Sequence, residues 1–265
     1  FYLPWEGKTM HTIKAEIVRT ENCARQIYDQ HCHAHYEIIF VLDGSIRLNV
    51  EGEQLRLREN MGIVLEPLKY HVVTGDNTRY HRLILSFEPE SVPEAVYERF
   101  LDSVRTNAVF SGERASRLLR RFSATAEKGD PVYGPLLEAI LTEAVYDLAF
   151  NNTPAPESKE SKPTEKLKQI TAFIDQNLHS QISLDDIAAR MYMSQSALCH
   201  LFRQEMQISL KQYILQKKMM YAKSLLEKGT APGTAAVLCG YKNYASFYKI
   251  FLKVTGQAPG QVMQE

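Results

Sequence analysis

The sequence predicts two domains: an N-terminal antiparallel β-sandwich or β-barrel with accompanying α-helices, and a C-terminal all-α domain with two helix-turn-helix motifs. Three observations support this prediction. Short alternating runs crowd residues 10–88, apolar residues recur at helical spacing from about residue 93, and one helical pattern occurs twice beyond residue 164. A length of 265 residues is enough for two ordinary domains.

Composition excludes several classes of protein. Hydrophobic residues make up 45% of the chain and charged residues 23%, a mixture that excludes a wholly disordered chain. No run approaches the roughly 18 consecutive apolar residues of a membrane helix, and residues 1–8 show no signal-peptide pattern. The cysteines are too few for a disulfide scaffold and too widely spaced for a CxxC zinc site, so we expect a reducing, cytoplasmic environment. They are Cys23, Cys32, Cys199 and Cys239.

The N-terminal domain, residues 1–92, is predicted from closely spaced strands. Asp43-Gly44 is typical of a turn, and residues 51–53 are expected to form a second one. No helical period separates the runs, which favours an antiparallel sandwich or barrel. The predicted strands cover residues 36–42, 45–50, 54–58, 62–66 and 83–87.

A helical segment, residues 93–150, follows, with its best helices at 115–125 and 136–150. The second carries an apolar stripe that either packs on the core of its own domain or forms the seam of a dimer. Residues 151–163 contain three prolines and no large apolar side chain, which predicts a disordered interdomain linker. The stripe consists of Leu137, Ile140, Leu141, Ala144, Val145 and Leu148.

The overall neutral charge is divided unequally. Residues 164–265 hold 12 Lys and Arg against 7 Asp and Glu, a net of +5, and the preceding part of the chain has a net of −5. This asymmetry hints at nucleic-acid binding by the C-terminal half alone. A solvated, lysine-bearing surface is the simpler interpretation.

The C-terminal domain, residues 164–265, repeats one pattern at an offset of 49 residues. Each copy predicts a short helix, a tight turn and a second helix, which is opened by Ser194 in the first copy and by Asn243 in the second. Gly240 suits the second turn because glycine adopts positive φ at little cost. The matched pairs include Ile187 with Ala236, Ala188 with Val237, Tyr192 with Tyr241, Leu198 with Phe247 and Phe202 with Phe251.

The second helix of each copy presents polar and small side chains outward, the kinds that read base edges and bind phosphates. The helix predicted between the copies, residues 210–227, would span roughly 27 Å. A turn of B-DNA spans about 34 Å, so this spacer could place two reading helices in successive major grooves. The predicted DNA-binding residues are Gln195, Ser196, Cys199, His200 and Arg203 in the first copy, and Asn243, Tyr244, Ala245, Tyr248 and Lys249 in the second.

Residues 165–263 closely resemble the DNA-binding domain of the AraC/XylS family of bacterial transcription regulators. The resemblance is strongest at Gly240-Tyr241, Ser246-Phe247, Phe251, Gly256 and Pro259. Four positions depart from the family pattern: Tyr192 and Gln207 stand where glycine is usual, and His200 and Lys218 where arginine is usual. The last two put base preference in doubt, since neither side chain makes the bidentate contact of arginine to guanine.

The N-terminal part is similar to the cupin motifs found in many sensor domains of this family, which implies a cupin-like β-barrel. The family layout implies an activator of transcription, a homodimer joined through helices, a contact with RNA polymerase, and a small-molecule effector bound in the barrel. The motif residues are His31, His33, His35, Glu37, Gly44, residues 62–67 and His71.

Strand alternation would place His31, His33, His35 and Glu37 on one face, with His71 added from a later strand. We expect these five side chains to bind the effector through polar contacts. Two other uses stay open: a metal ion without catalysis, or a metal-dependent cupin enzyme. The tandem helix-turn-helix half argues against an enzyme, and no cofactor is expected. The remaining alternative is a ligand-blind regulator whose barrel serves only dimerisation.

Overall fold

The computed structural model describes residues 14–20, 31–111, 120, 133–155 and 158–263. Its N-terminal part is one antiparallel sheet of eight strands in the order β1-β5-β2-β4-β6-β7, with β3 paired to β2 and β8 paired to β3. The strands are β1 (Lys14–Thr20), β2 (Tyr36–Val50), β3 (Glu53–Arg58), β4 (Met61–Leu65), β5 (His71–Phe87), β6 (Val109–Ser111), β7 (Thr153–Pro154) and β8 (Lys159–Ser161).

The central strand β2 is buried on both faces, which explains its almost unbroken apolar run. One face, with Ile39 and Val41, packs inside the sheet with β3, β4 and β5. The other, with Ile38 and Phe40, is covered by two helices, α1 (Glu94–Thr106) and α2 (Tyr133–Asn151).

The prediction of a turn at Asp43-Gly44 is wrong. β2 continues through this point, and its register with β5 shifts on either side of it, between Val41 and Asp43 and between Gly44 and Ile46. Gly44 has φ +77°, and an added Cβ would lie 2.0 Å from the carbonyl oxygen of Arg79. The dipeptide therefore forms a bulge that bends a long strand. Glycine at positive φ permits such a bulge as well as a turn. The later turn at Glu51 and Gly52 is present, with φ of 49° and 87°.

The apolar stripe of α2 packs on its own domain. Five of its six side chains join the cluster formed by α1 and the outer face of the sheet, and Ala144 is buried as well. Tyr146 and Phe150, on the opposite face of the helix, are 51% and 44% exposed. The helix predicted at residues 115–125 lies outside the described residues, except for Arg120.

The prediction of a disordered linker is wrong for the described residues of 151–163. α2 ends at Asn151, β7 pairs with β6, and β8 pairs with β3. Ala155 and Ser158 are buried, and the Ser158 hydroxyl donates to the Ala155 carbonyl over 2.7 Å. Strand edges offer backbone hydrogen bonds to any extended chain, so this polar segment is held without burying large apolar side chains.

The described residues of the C-terminal domain form helices and the turns between them, with no strand. Those that open on a serine, threonine or asparagine have that side chain as an N-cap. No helix in the described part of the chain is both long and apolar enough to cross a membrane. The helices are α3 (Glu165–Gln176), α4 (Leu184–Arg190), α5 (Gln195–Met206), α6 (Leu210–Glu227), α7 (Pro232–Leu238), α8 (Tyr244–Thr255) and α9 (Pro259–Val262).

The two copies of the repeat are not related by one constant offset. From the capping residues Ser194 and Asn243 onward the offset is 49, but in the leading helices it is 48, since the turn before α8 is one residue longer. The pairing of Ala188 with Val237 is therefore wrong: Ala188 is buried and Val237 is 69% exposed.

Candidate functional sites

The first candidate site is the outer face of the two reading helices, α5 and α8. In each, two buried aromatic or aliphatic residues fix the inner face: Leu198 and Phe202 in α5, Phe247 and Phe251 in α8. Met206 on α5 is buried as well, and Leu201, Ile250 and Val254 pack partly against the same core. Of the ten predicted DNA-binding residues, Cys199 is half-buried and the other nine are exposed.

Asn243 and Gln195, among these ten residues, form side-chain hydrogen bonds within the chain. The side-chain carbonyl of Asn243 accepts from the Ser246 amide over 3.2 Å, as an N-cap. The side-chain amide of Gln195 donates to Asp185 over 3.4 Å. Asn243 therefore serves the geometry of α8, and its NH₂ group is the part that can face a ligand.

The second candidate site brings together four of the five predicted effector residues. The ligand atoms of His31, His33, Glu37 and His71 all lie within 4.8 Å of one another. His35 is not among these four ligands, but its ring stacks on that of His33 with centroids 4.1 Å apart. The predicted strand alternation is only partly correct, since β2 begins at Tyr36 and His31 is held instead by a bridge to His71.

Burial and hydrogen bonding define the chemistry of this cluster. His33 Nδ1 bonds to the His35 carbonyl over 2.9 Å, and His71 Nδ1 bonds to the Lys69 carbonyl over 3.0 Å. A carbonyl only accepts, so both Nδ1 atoms are the donors in these bonds and both Nε2 atoms are left to face the cluster. Those Nε2 atoms are buried and lie 2.8 Å and 3.9 Å from the carboxylate of Glu37.

Electrostatics favours an ionised carboxylate at Glu37 and an uncharged ring at His71. Burial lowers the pKa of His71 to about 4, against the opposing attraction of Glu37. Burial raises the pKa of Glu37, but its contact with His33 and the attraction of the surrounding imidazoles outweigh burial and bring this pKa to about 2. Glu37 is therefore ionised at neutral pH, and His71 is uncharged.

A third feature, which the sequence does not predict, joins the two domains. The ammonium of Lys217, on α6, lies 3.0 Å from Glu51 and 2.8 Å from Asp175, and donates to the Leu68 carbonyl over 2.5 Å. The Tyr213 hydroxyl donates to the same Glu51 carboxylate over 2.5 Å. Burial lowers the pKa of Lys217, but Glu51 and Asp175 outweigh it and raise this pKa above 10.5, so the lysine stays charged.

Cavities also lie between the domains. One of about 560 Å³ is lined by the β2–β3 turn, the end of α1, and Thr171 and Asp175 of α3. A groove of about 940 Å³ separates β3 and Lys162 from the α5 residues Ser196 and His200. A third, of about 580 Å³, lies within the C-terminal domain beside Lys211 and Lys242. None of these three cavities is lined by a predicted effector residue, so effector binding by the histidines stays a prediction.

Comparison with known proteins assigns both halves. Residues 14–145 match the AraC-like ligand binding domain, and residues 187–265 match a helix-turn-helix domain family. The chain belongs to the AraC family of transcription regulators.

Two sequence relatives match most of the chain. The probable transcriptional regulator LumQ of Photobacterium leiognathi is 25% identical over 232 residues, which cover 86% of this chain and 89% of LumQ. The uncharacterized HTH-type regulator YobQ of Bacillus subtilis is 22% identical over 245 residues and 92% of each chain. Among solved structures, ToxT from Vibrio cholerae aligns with 95% of this chain and 98% of its own, at 10% identity and a TM-score of 0.42.

The structure explains three departures from the AraC family pattern. Tyr192 and Gln207 both adopt positive φ, 54° and 59°, where the family's glycine would be relaxed. Lys218 is only 7% exposed and donates to the Ser180 and Cys239 carbonyls. The inference that Lys218 affects base preference is therefore wrong: it supports the packing of the domain.

Proposed function

We propose that the chain binds double-stranded DNA at specific sequences and activates transcription under the control of an effector bound by its N-terminal domain. The observation that supports this most strongly is the pair of similarly capped reading helices with exposed polar faces. Both helices pack on α6, whose 18 residues provide the spacer. At 1.5 Å per residue this helix is about 27 Å long, close to one pitch of the duplex.

Each reading helix would contribute base contacts and phosphate contacts. The proposed base readers are His200 with Ser196 and Cys199 on α5, and Lys249 with Tyr244 and Ala245 on α8. The two faces would be completed by Arg203, Tyr248, Gln195 and the Asn243 side chain. Lysine and arginine contacts to phosphate make the affinity strongly dependent on salt.

The interface between the domains gives effector control a physical basis. Glu51 lies in the β2–β3 turn of the ligand-binding domain, and Lys217 lies on the helix that positions both reading helices. Gly52 of the same turn faces Leu167 of α3, and Asn49 donates to the Glu205 carbonyl at the end of α5. A conformational change in the sheet would therefore alter its contacts with the DNA-binding domain.

Further partners follow from this function. We propose a homodimer, with the exposed ring pair of Tyr146 and Phe150 on α2 as part of its surface. An activator would also contact RNA polymerase, and a bacterial DNA-binding regulator would act in the cytoplasm. We propose no enzymatic activity, since the reading helices and the interdomain contacts serve DNA binding.

Mapping of bound DNA on genomic fragments with the purified full chain tests the function directly. Enrichment of a few sites that share a motif with two half-sites about one helical turn apart is the expected result. Uniform binding along the genome, or none, would contradict the proposal.

The role of His200 is tested on the mapped site by fluorescence anisotropy. His200→Ala is expected to weaken specific binding by about 1–3 kcal/mol while leaving non-specific binding nearly unchanged. His179→Ala, an exposed histidine outside the reading helices, is the matched control. Equal losses on specific and non-specific DNA would exclude base readout by His200.

The ligand-blind alternative is separated by a stability measurement. A regulator with an effector is stabilised by that effector in proportion to the logarithm of its concentration. If no candidate metabolite shifts the unfolding midpoint or the DNA affinity of the full chain, the N-terminal domain serves dimerisation alone.

A further inference from the structure

The cluster of His31, His33, Glu37 and His71 has the features of an ion site. Nε2 of His33 and Nε2 of His71 are both buried and lie 2.8 Å and 3.9 Å from the carboxylate of Glu37. At its longer distance, Nε2 of His71 has no hydrogen-bond partner, and burying an unpaired polar atom is costly. A cation among these atoms would bind the nitrogens and the carboxylate together.

The donors also suit a particular class of cation. Three imidazoles and one carboxylate are ligands preferred by zinc and its first-row neighbours, whereas calcium and magnesium prefer oxygen alone. The Nδ1 atoms of His33 and His71 are held by backbone carbonyls, the arrangement that orients ligating histidines in metal sites. Metal–ligand bonds of about 2.1 Å require a small contraction of the present spacing, and the exposed His31 has room to move.

The same two segments touch the DNA-binding domain with their other side chains. Cys32, between His31 and His33, is buried in the hydrophobic cluster of the C-terminal helices. Tyr70, which precedes His71, packs edge-on against Tyr213 of α6 with ring centroids 5.3 Å apart.

From Tyr213 the contact continues to the first reading helix. The Tyr213 ring lies 5.1 Å from that of Phe202, on the buried face of α5. The Leu68 amide donates to the His33 carbonyl over 2.7 Å, and the Leu68 carbonyl accepts from Lys217. Residues next to the cluster are thus packed directly on α6.

We propose that His31, His33, Glu37 and His71 bind one divalent first-row transition-metal ion, and that this ion sets the contact between the sheet and α6 and thereby the affinity for DNA. Metal binding by these four residues does not depend on the function proposed above, whereas the effect on DNA affinity rests on it. The ligand of the N-terminal domain would then be a metal cation.

The metal half is tested on full-length protein stripped with a chelator and titrated with Co²⁺ and Zn²⁺. One equivalent of Zn²⁺ should bind, and Co²⁺ should give visible d–d absorption that Zn²⁺ removes. Glu37→Gln, which keeps the shape of the side chain, and His33→Ala should each weaken binding by at least about 100-fold, more than the loss of a second-shell partner costs. His179→Ala, at an exposed histidine outside the cluster, should bind as the parent does.

Binding that is absent, or that is equally strong in Glu37→Gln and His33→Ala, would overturn the site. The coupling is tested separately, by measuring the affinity of the same preparations for the mapped DNA site with and without Zn²⁺. We expect at least a fivefold change in the parent and none in Glu37→Gln. Stoichiometric metal binding with an unchanged DNA affinity would overturn the coupling alone, and an absence of specific DNA binding would refute the proposed function without affecting the metal site.

Discussion

Replacing Lys217 by methionine tests whether the interdomain ion pair holds the two domains together. The side chain is 1% exposed, and methionine keeps most of its length and apolar volume. The substitution removes one charge and leaves two carboxylates facing the gap, that of Glu51 at 13% exposure and that of Asp175 at 40%.

The structure sets the size of the effect. Removing one partner of a buried ion pair costs about 3–5 kcal/mol, because the other charge stays buried and unpaired. Here Glu51 keeps the Tyr213 hydroxyl at 2.5 Å and the Tyr70 amide at 2.8 Å as donors, and water reaches Asp175. We therefore expect a loss of about 3 kcal/mol, at the low end of that range.

Urea unfolding of the full chain at neutral pH measures this loss. Lys211→Met, an exposed lysine on the same helix, should change stability by no more than about 0.5 kcal/mol. Combining Lys217→Met with Glu51→Gln should cost less than the sum of the single changes, with a coupling of about 0.5–3 kcal/mol. Additive costs, or a loss below about 1 kcal/mol for Lys217→Met, would show that the ion pair does not join the domains.

The difference in unfolding free energy between the parent and Lys217→Met depends on pH with a definite sign. The pKa of Lys217 is raised above 10.5 in the folded chain, so the folded state holds its proton more tightly than the unfolded state. The stabilisation is complete below pH 10.5 and is lost as the pH rises through the folded value. The stability gap between parent and Lys217→Met should therefore be constant from pH 7 to about pH 9 and close only in strong alkali.

Three changes in the turns test the backbone of the helix-turn-helix units. Tyr192 is 96% exposed at φ +54°, so Tyr192→Gly relieves the left-handed backbone without loss of packing and should stabilise the chain by about 0.5–1 kcal/mol, seen as a higher urea midpoint. Gly256→Ala should cost about 1 kcal/mol, since its positive φ is strained but an added Cβ meets nothing within 4 Å. Gly240→Ala should lower the unfolding free energy clearly more than Gly256→Ala does, because its Cβ would lie 2.7 Å from the backbone of Ser180. Equal losses of stability at the two glycines would refute this close approach.

Much of the C-terminal domain could be predicted because its signals are local. Apolar spacing and the capping residues Ser194 and Asn243 define helices within a few residues of their observed ends. The prediction of one constant offset is wrong because the two turns differ in length. In the structure Tyr192 and Gly240, at an offset of 48, both adopt left-handed backbone. A tyrosine gives no sequence signal for that conformation, so their equivalence could not be predicted.

The N-terminal domain was harder to predict for two physical reasons. Asp43-Gly44 suits a turn and a bulge equally well, and only the partner strand β5 decides between them. The pairing of β8 with β3 depends on backbone groups, which carry no sequence signal. Spacing predicts the histidine cluster, but it places these residues on one strand, whereas β2 begins only at Tyr36 and a bridge to His71 holds His31.

The contact between Glu51 and Lys217 joins residues 166 positions apart, and no local pattern marks either of them. Its position nevertheless explains how a signal could reach both reading helices. Lys217 and Lys218 are neighbours on α6: the first binds the turn of the sheet, and the second donates to Ser180, before the first helix-turn-helix unit, and to Cys239, in the turn of the second. Because α6 is one continuous helix, a displacement that the sheet imposes at Lys217 must move the partners of Lys218 as well. The spacer thus connects the ligand-binding domain to both reading helices through two adjacent side chains.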